Sequence, residues 1–324
     1  MNRQRQVITV VVLGTLIALG CAPARAVQVP TDRIAFSSNR SGTAQIYVVN
    51  ADSTGLNRLT FSAPAFQDTQ PAWSPDGTKI AFSRAPVPFY DSVNMAHSEI
   101  WVMDADGTDA EVLIREPGQL ADRPQWSPDG TKIAYTRGSP VQIPYDIWVF
   151  DLTTRTRKAL TTSGDAAYPA WSPDGRALVF LRQQHIWRMD AEGRDQVRLT
   201  QTGPNFVPNW APGSDITFTS ARDGGAKQVY VMRSDGSGAR RVFASTGEQK
   251  LPAFSPDGTR LVFGQGRGPC QTDVDLARCQ VDNDYELVSV NTDGSHLVTL
   301  TDVWGPRPQF GESYPAYAPR RLPS

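Results

Sequence analysis

The chain has 324 residues, of which 40% are hydrophobic and 20% are charged, and its formal net charge is −1. A chain of this length and apolar content can bury a large core, either as one repeat-built domain or as two ordinary domains. The nearly neutral charge argues against nucleic-acid binding, which requires an excess of clustered Lys and Arg.

The first residues are typical of an export signal. Arg3 and Arg5 precede an uncharged apolar run over residues 7–19, which is too short to span a bilayer. Two cleavage sites stay open. The tripeptide ARA at 24–26 fits a signal peptidase site that would release a soluble protein, whereas ALGC at 18–21 resembles a lipoprotein signal that would leave Cys21 lipidated. We therefore predict export, with membrane contact only through an anchor on Cys21.

One motif recurs along the chain and predicts its architecture. Segments related to PAWSPDGTKIAF begin at Pro71, Pro124, Pro169, Pro208, Pro252 and, as the fragment PAYAP, at Pro315. Repetition at a period of roughly 40–60 residues indicates one supersecondary unit that is used repeatedly.

Each unit is predicted to contain four short strands. The Pro-x-Trp segment is the first strand, and the turn Ser-Pro-Asp-Gly leads to a second strand such as 80–82. The second strands are almost entirely apolar, so both of their faces should be buried. A third strand such as 100–103, a Gly-containing turn and a more polar fourth strand such as 58–60 complete the unit. No helical periodicity is found between residues 27 and 324.

The number of strand copies decides the predicted topology. The second, third and fourth strands occur six times from Ile34 onward, but the sixth first strand is 316–318, near the C-terminus. We therefore predict an all-β chain that forms a six-bladed β-propeller of four-stranded antiparallel blades, closed by three N-terminal strands plus one C-terminal strand. The predicted organisation is a signal peptide at 1–26 (or a lipoprotein signal ending before Cys21), a short tail at 27–31, a single propeller at 32–319 and a C-terminal tail at 320–324.

The PAWSPDGTKIAF signature, followed by third strands such as IYVVNADSTG, resembles the TolB-like propeller family. The resemblance covers about residues 32–319, and its fifth copy departs from the pattern because APGS at 211–214 replaces SPDG. It implies the propeller fold and a role in the Tol–Pal system. TolB itself carries an α/β domain before its propeller, and no such domain is predicted here, so the Tol–Pal role is left open.

Charged residues recur where the chain enters each inner strand and where it leaves each second strand, and these loops should share one face of the propeller. The first group is Asp68, Asp122, Asp165, Asn205, Glu248 and Glu312. The second group is Arg40, Arg84, Arg137, Arg182, Arg222 and Arg267. Two interpretations are open. The charges could pair with one another and hold neighbouring loops together, or they could form a rim that binds a peptide, a glycan or the tail of a partner.

Three irregular loops on the same face differ between blades and are better functional candidates. The loop over 84–98 contains Phe89 and Tyr90, the loop over 302–314 contains Trp304 and Phe310, and a third includes residues 270–279. Exposed aromatic side chains with Arg are typical binding anchors, although the same rings could instead pack on one another over the channel.

The remaining cysteines and histidines do not suggest a catalytic centre. Cys270 and Cys279 form an even pair in an exported chain, which favours a disulfide. No metal is predicted, and a Ca²⁺ site built from Asp273, Asp275, Asp282 and Asp284 stays an alternative. The three histidines are dispersed, so they suggest no triad or metal cluster.

We predict a non-catalytic protein- or peptide-binding module at the cell envelope, periplasmic or extracellular, monomeric, and without a cofactor or nucleic-acid partner. The predicted contact residues are Trp304, Arg307, Phe310, Tyr314, Phe89, Tyr90, Phe66, Phe206, Asp68, Asp122, Asp165, Glu248, Glu312, Arg84, Arg137 and Arg182. One alternative is a glycan-active lyase or hydrolase that uses mouth carboxylates, which carboxylates with separated pKa values would favour. The other is a structural envelope scaffold, which a channel plugged by its own aromatic side chains would favour.

Overall fold

The computed structural model describes residues 32–87, 98–139, 145–266, 285–301 and 312–319. Within these ranges the regular structure is entirely β and forms six four-stranded antiparallel sheets. The same ranges contain no helix with the length and apolar character needed to cross a membrane.

Each sheet is one blade, and its strands run in order from the channel to the outer edge. Blade 1 contains β24 (Glu312–Tyr317), β1 (Arg33–Ser38), β2 (Gln45–Asn50) and β3 (Asn57–Arg58). Blade 2 contains β4 (Phe66–Trp73), β5 (Lys79–Pro86), β6 (Glu99–Asp104) and β7 (Glu111–Ile114). Blade 3 contains β8 (Leu120–Trp126), β9 (Lys132–Gly138), β10 (Tyr145–Asp151) and β11 (Arg157–Ala159).

The other three blades repeat this order. Blade 4 contains β12 (Ala166–Trp171), β13 (Ala177–Arg182), β14 (His185–Asp190) and β15 (Val197–Arg198). Blade 5 contains β16 (Asn205–Trp210), β17 (Asp215–Ser220), β18 (Gln228–Arg233) and β19 (Arg240–Arg241). Blade 6 contains β20 (Gln249–Phe254), β21 (Arg260–Gly266), β22 (Tyr285–Asn291) and β23 (Val298–Thr299).

The ring closes through blade 1, which takes strands from both ends of the propeller. Strand β24 pairs antiparallel with β1, with Ile34 opposite Tyr317 and Ala35 opposite Ala316. Each inner strand also contacts the inner strand of the next blade, and β24 lies between β20 and β4. The predicted six-bladed propeller and its mode of closure are therefore confirmed.

The core lies between the blades rather than inside any one of them. Each of the six apolar clusters combines side chains from two neighbouring blades. Every second strand contributes a fully buried aromatic ring to this core: Phe36, Phe82, Tyr135, Phe180, Phe218 and Phe263. A blade on its own would leave both of its faces in water, so the apolar second strands are satisfied only in the closed ring.

Hydrogen bonds from two tryptophans also join neighbouring inner strands. The Trp73 Nε1–H donates to the carbonyl oxygen of Ala316 at 3.2 Å, and the Trp126 Nε1–H donates to the carbonyl oxygen of Ala72 at 3.2 Å. These bonds fix blade 2 to the closing strand and blade 3 to blade 2.

The Ser-Pro-Asp-Gly turns close the hairpin between the first and second strands. In the first such turn, Ser74 Oγ donates to Asp76 Oδ1 at 2.6 Å, and the same oxygen accepts the backbone N–H of Thr78 at 3.0 Å. Gly77 has a φ of 66°, which a glycine adopts without strain. These turns define one face of the propeller, the turn face. The loops that enter the inner strands define the opposite one, the mouth face.

A shortened chain that lacks residues 312–324 tests the closure. Removal of β24 exposes β1 along one edge and takes away the acceptor of Trp73, so we expect a loss of at least about 3 kcal/mol in the free energy of unfolding. Urea and thermal denaturation measure it. A matched control that ends after Pro319 keeps β24 and should unfold like the full chain. Equal melting curves for all three proteins would contradict the strand assignment.

Candidate functional site

One residue from each inner strand lines the cavity of the channel. These six residues have a φ between 42° and 58°, and we call them the neck: Gln70, Arg123, Tyr168, Val207, Leu251 and Tyr314. Each lies at a register shift between the first and second strands of its blade or directly beside one. A positive φ is unfavourable for a side chain other than glycine, so each blade stores strain at this one position.

The strain is common to all blades, but the side chains are not. Blades 1 to 4 place the polar or amphipathic residues Tyr314, Gln70, Arg123 and Tyr168 in the neck, whereas blades 5 and 6 place Val207 and Leu251 there. One side of the neck is therefore polar and the other is apolar.

The sequence analysis included Tyr314 among the contact residues but missed the other five neck residues. A signal was available, because each neck residue directly precedes the proline of the repeated motif. The residue type at this position varies between blades, whereas the proline after it does not. The side chain points toward the channel because of the β-bulge, which the alternation of side chains along a strand does not predict.

A cavity of about 220 Å³ adjoins the neck. Its walls come from the neck residues and from the inner-strand residues that follow them toward the turn face, including Gln125, Trp126 and Asn209. Among the described residues that line it, Arg123 is the only charged side chain and no carboxylate is present.

Arg123 is held in the neck by two neighbours. Its Nη1 lies 3.0 Å from Asp122 Oδ2, and its Nη2 donates to the Tyr168 hydroxyl at 2.9 Å. The guanidinium carbon lies 3.9 Å from the centre of the Tyr168 ring. The Nε–H is buried and has no hydrogen-bond partner in the described part of the chain.

The polar side of the neck continues through Gln70. Its Oε1 accepts the hydroxyl of Ser83 and the backbone N–H of Arg123, both at 2.9 Å, so blades 2 and 3 are joined here. A further hydrogen bond from Gln70 reaches the Tyr314 hydroxyl.

The surroundings shift the pKa values of two neck residues upward. Burial opposes the charge of Arg123, but Tyr168 and Asp122 more than offset this effect, so the pKa of its guanidinium lies above the ordinary value. Burial, together with Tyr168, raises the pKa of the Tyr314 phenol. At neutral pH the neck therefore presents a cationic Arg123 and the protonated phenol of Tyr314.

The rim arginines of the mouth face lie over aromatic rings of their own blades. Arg84 lies 4.1 Å from the ring centre of Trp101, Arg137 lies 4.4 Å from that of Trp148, and Arg182 lies 5.3 Å from that of Trp187. Arg40 and Arg222 lie in the same way over Tyr47 and Tyr230, at 5.1 and 4.8 Å. The sixth rim arginine, Arg267, lies outside the described residues.

The acidic residues of the mouth face do not form one ring, although they all occur near the start of an inner strand. Asp68 lies opposite Arg84 and forms a bidentate ion pair with it. Arg84 Nε lies 2.6 Å from Asp68 Oδ1, and Arg84 Nη2 lies 2.8 Å from Asp68 Oδ2. Asp165, which precedes its strand, reaches Arg182 at 2.9 Å. Asp122, in contrast, lies opposite Thr136 and pairs with Arg123 in the neck.

Arg137 in blade 3 and Glu248 before blade 6 use other partners. Arg137 pairs with Glu116, 3.0 Å from its Nε, and not with Asp122. Among the described residues, Glu248 contacts Lys227, Lys250 and the Tyr285 hydroxyl. Most of the described rim charges are thus paired within the chain, which favours the interpretation of paired loop charges.

The carboxylates that depart from their ordinary pKa all shift in one direction. In the described ranges, every Asp or Glu with a shifted pKa has it lowered. Burial alone would raise the pKa of Asp165, but a hydrogen bond from Ser163 and the charge of Arg182 lower it. The hydrogen bonds of Lys227 and Tyr285 similarly outweigh burial at Glu248 and lower its pKa.

Several predicted site residues cannot be placed by this geometry. Phe89, Tyr90, Trp304, Arg307, Phe310, Cys21, Cys270 and Cys279 lie outside the described residues, as does the alternative Ca²⁺ site, and of Glu312 only the backbone is described. Their predicted roles stay predictions. Of the predicted aromatic residues that are described, Phe66 is exposed, and Phe206 lies beneath the Lys227 ammonium group at 4.8 Å. The described residues contain no group of three or more metal-ligating side chains.

Comparison with known proteins agrees with this architecture. The family described as TolB beta propeller domain matches residues 89–302. This chain belongs to that family.

The curated relatives of this TolB-type propeller match it over part of their length. An uncharacterized protein of Agrobacterium fabrum is 30% identical over 186 residues, which are 55% of this chain and 60% of the relative. The Tol-Pal system protein TolB of Geobacter sulfurreducens is 40% identical over 82 residues, which are 24% of this chain and 19% of the relative. The chain therefore aligns with less than two thirds of either relative.

Solved structures of similar proteins share the fold. The crystal structure of TolB from Acinetobacter baumannii has a TM-score of 0.70 at 23% identity, over 89% of this chain and 67% of that one. A putative TolB from Agrobacterium tumefaciens has a TM-score of 0.64 at 22% identity, over 89% of this chain and 99% of that one. At these identities the likeness concerns the propeller fold alone.

The buried rim pair of this TolB-type propeller gives a stability prediction. Replacing Arg84 by Ala leaves the fully buried Asp68 carboxylate without its counter-charge, so the free energy of unfolding should fall by about 3–5 kcal/mol at pH 7. The matched control is Arg115→Ala, whose partner is Glu99 and whose side chain is largely exposed, and it should change stability little. Urea denaturation of both variants measures the difference, and equal losses would show that the Arg84 pair is not a buried one.

Proposed function

We propose that this protein is an exported, non-catalytic TolB-type propeller that binds a protein or peptide partner at the cell envelope. The partner contacts the mouth face, with the channel beneath it as part of the same site. The observation that carries the proposal is a patch of exposed apolar side chains on the mouth face, beside a rim whose described charges are mostly paired within the chain.

The exposed apolar residues of this patch lie in the loop from blade 1 to blade 2 and at the end of β5. Phe61 is 75% exposed, Phe66 is 39% exposed, and Val87 is also exposed. The Val87 N–H donates to the carbonyl oxygen of Ala65, the residue before Phe66, at 2.8 Å. The Arg58 guanidinium lies 4.5 Å from the Phe61 ring centre. Exposed aromatic rings next to arginine are typical of binding anchors on protein surfaces.

The carboxylates support binding over the glycan-active alternative. A general acid for glycoside cleavage needs a raised pKa in a closed site, next to a second carboxylate. The described residues that line the cavity include no Asp or Glu, and the shifted carboxylates of the rim have lowered pKa values because cations and hydroxyls bind them.

The scaffold alternative is less well supported because the described residues leave part of the channel unfilled. Tyr168 and Tyr314 occupy part of the neck, yet the adjoining cavity persists, and the buried Arg123 Nε–H that faces it has no partner among the described residues. A channel that served only to stabilise the ring would be expected to satisfy such a donor.

The envelope location rests on the predicted export signal and on the relatives. The matched protein of Geobacter sulfurreducens is a Tol-Pal system protein, and on that likeness we propose an envelope protein as the partner. The predicted contacts at Trp304, Arg307, Phe310, Phe89 and Tyr90 belong to this proposal, as do the disulfide and the alternative lipid anchor on Cys21.

Photo-crosslinking in the native host tests the proposed face. A benzoylphenylalanine placed at Phe66 should form an adduct with an envelope protein. The same group placed at Val197, which is 48% exposed in β15 at the outer edge of blade 4, should not. No adduct at Phe66, or adducts of equal yield at both positions, would contradict the proposal.

The same adduct tests the loop residues. Replacing Trp304 and Phe310 by Ala should lower the adduct yield from position 66 several-fold, because aromatic anchors carry a large share of interface energy. An unchanged yield would remove these two residues from the contact surface while leaving the face itself in place.

A further inference from the structure

The neck of the channel contains hydrogen-bond donors that the described residues of the protein do not satisfy. The Arg123 Nε–H is buried and has no partner in the described part of the chain. The Tyr168 oxygen already accepts a bond from Arg123, and the Tyr314 oxygen accepts one from Gln70, so both phenol protons are available to a third group.

The side-chain acceptors of Gln70 and Asp122, which adjoin Arg123, are used within the protein. Gln70 Oε1 accepts two bonds, from Ser83 and from the backbone of Arg123. Asp122 is almost fully buried, accepts from Gln70, Arg123 and its own neighbouring N–H, and is not among the residues that line the cavity. A polar ligand in the neck therefore meets donors and one positive charge, and the counter-charge of Asp122 lies behind the guanidinium.

We infer that the neck is a carboxylate-binding subsite, in which Arg123, Tyr168 and Tyr314 receive an acidic group carried by the partner. An ionised carboxylate has acceptor oxygens only, which matches this donor set, and arginine recognises it with its fork of N–H groups. This inference rests on the proposed function and names the chemistry that the partner must present.

The rest of the neck fits the stem of such a group. Val207 and Leu251 form the opposite wall, and Pro208 and Pro252 extend it toward the turn face. A cavity of about 220 Å³ admits a side chain or a chain terminus but not a folded domain. An acidic residue with an aliphatic stem places its carboxylate on the polar side and its carbon atoms on the apolar side.

Asp122 acts as a positioning residue. It binds Nη1 of Arg123 and leaves the Nε–H free, so the guanidinium is oriented without its whole fork being used. The stack on Tyr168 fixes the plane of the guanidinium. Both contacts reduce the conformational freedom that Arg123 would otherwise lose when a ligand binds.

The experiment uses N-acetylglutamate as the probe and N-acetylglutamine as its uncharged counterpart, at matched ionic strength with the full-length protein. Saturation-transfer NMR and tryptophan fluorescence report binding, since Trp73 and Trp126 line the cavity. We expect saturable binding of N-acetylglutamate and at least about tenfold weaker binding of N-acetylglutamine. Equal binding of the two probes, or stronger binding of inorganic phosphate, would overturn the inference.

Two variants assign the binding to the neck. Arg123→Gln should weaken N-acetylglutamate binding by about tenfold or more, while the matched control Arg194→Gln, an exposed turn arginine outside the cavity, should bind like the native protein. Tyr168→Phe keeps the ring and removes the hydroxyl, so it should weaken binding several-fold even if Arg123→Gln fails to fold. Native affinity in Tyr168→Phe or in a folded Arg123→Gln protein would overturn the subsite.

The photo-crosslink at Phe66 separates this inference from the proposed function. If the adduct forms and N-acetylglutamate does not bind, the partner contacts the mouth face and the carboxylate subsite is wrong. If N-acetylglutamate binds through Arg123 and no adduct forms, the subsite stands and the proposed face is wrong.

Discussion

The structure depends on the burial of two apolar faces on every blade. Phe36 and its five counterparts are fully buried, yet none of them is covered by its own sheet alone. Each interface needs a neighbour on both sides, so an open row of blades would leave two terminal faces in water. Closure by β24 removes those faces, which is why the inner strand of blade 1 comes from the far end of the propeller.

Closure also determines where variation is tolerated. The second strands are constrained on both faces, whereas the neck residues line the cavity of the channel. The backbone at the neck is the same in all six blades, with a positive φ before a proline, but its side chains range from Leu251 to Arg123. The same strained backbone thus places six side chains around the channel axis. The four on one side of the neck are polar or amphipathic.

The rim shows how local pattern and tertiary register differ. Arginine after the second strand recurs regularly in the sequence, and the described arginines do share one orientation over aromatic rings. The acidic residues recur equally regularly in the sequence. Asp122 nevertheless lies one residue further along its strand than Asp68 does, so Asp68 pairs with Arg84 whereas Asp122 pairs with Arg123. Because successive side chains alternate between faces, such a shift changes the partner completely.

The sequence by itself determined the number of blades, the strand order and the closure, because each follows from counting apolar segments and turns in a repeat. Only the tertiary structure decided what lines the channel. The bulge before each proline turns Gln70, Arg123 and Tyr168 toward the axis, and residues from different blades meet there although more than 40 positions separate them in the chain. No periodicity encodes that meeting, since it depends on how six twisted sheets pack around a common centre.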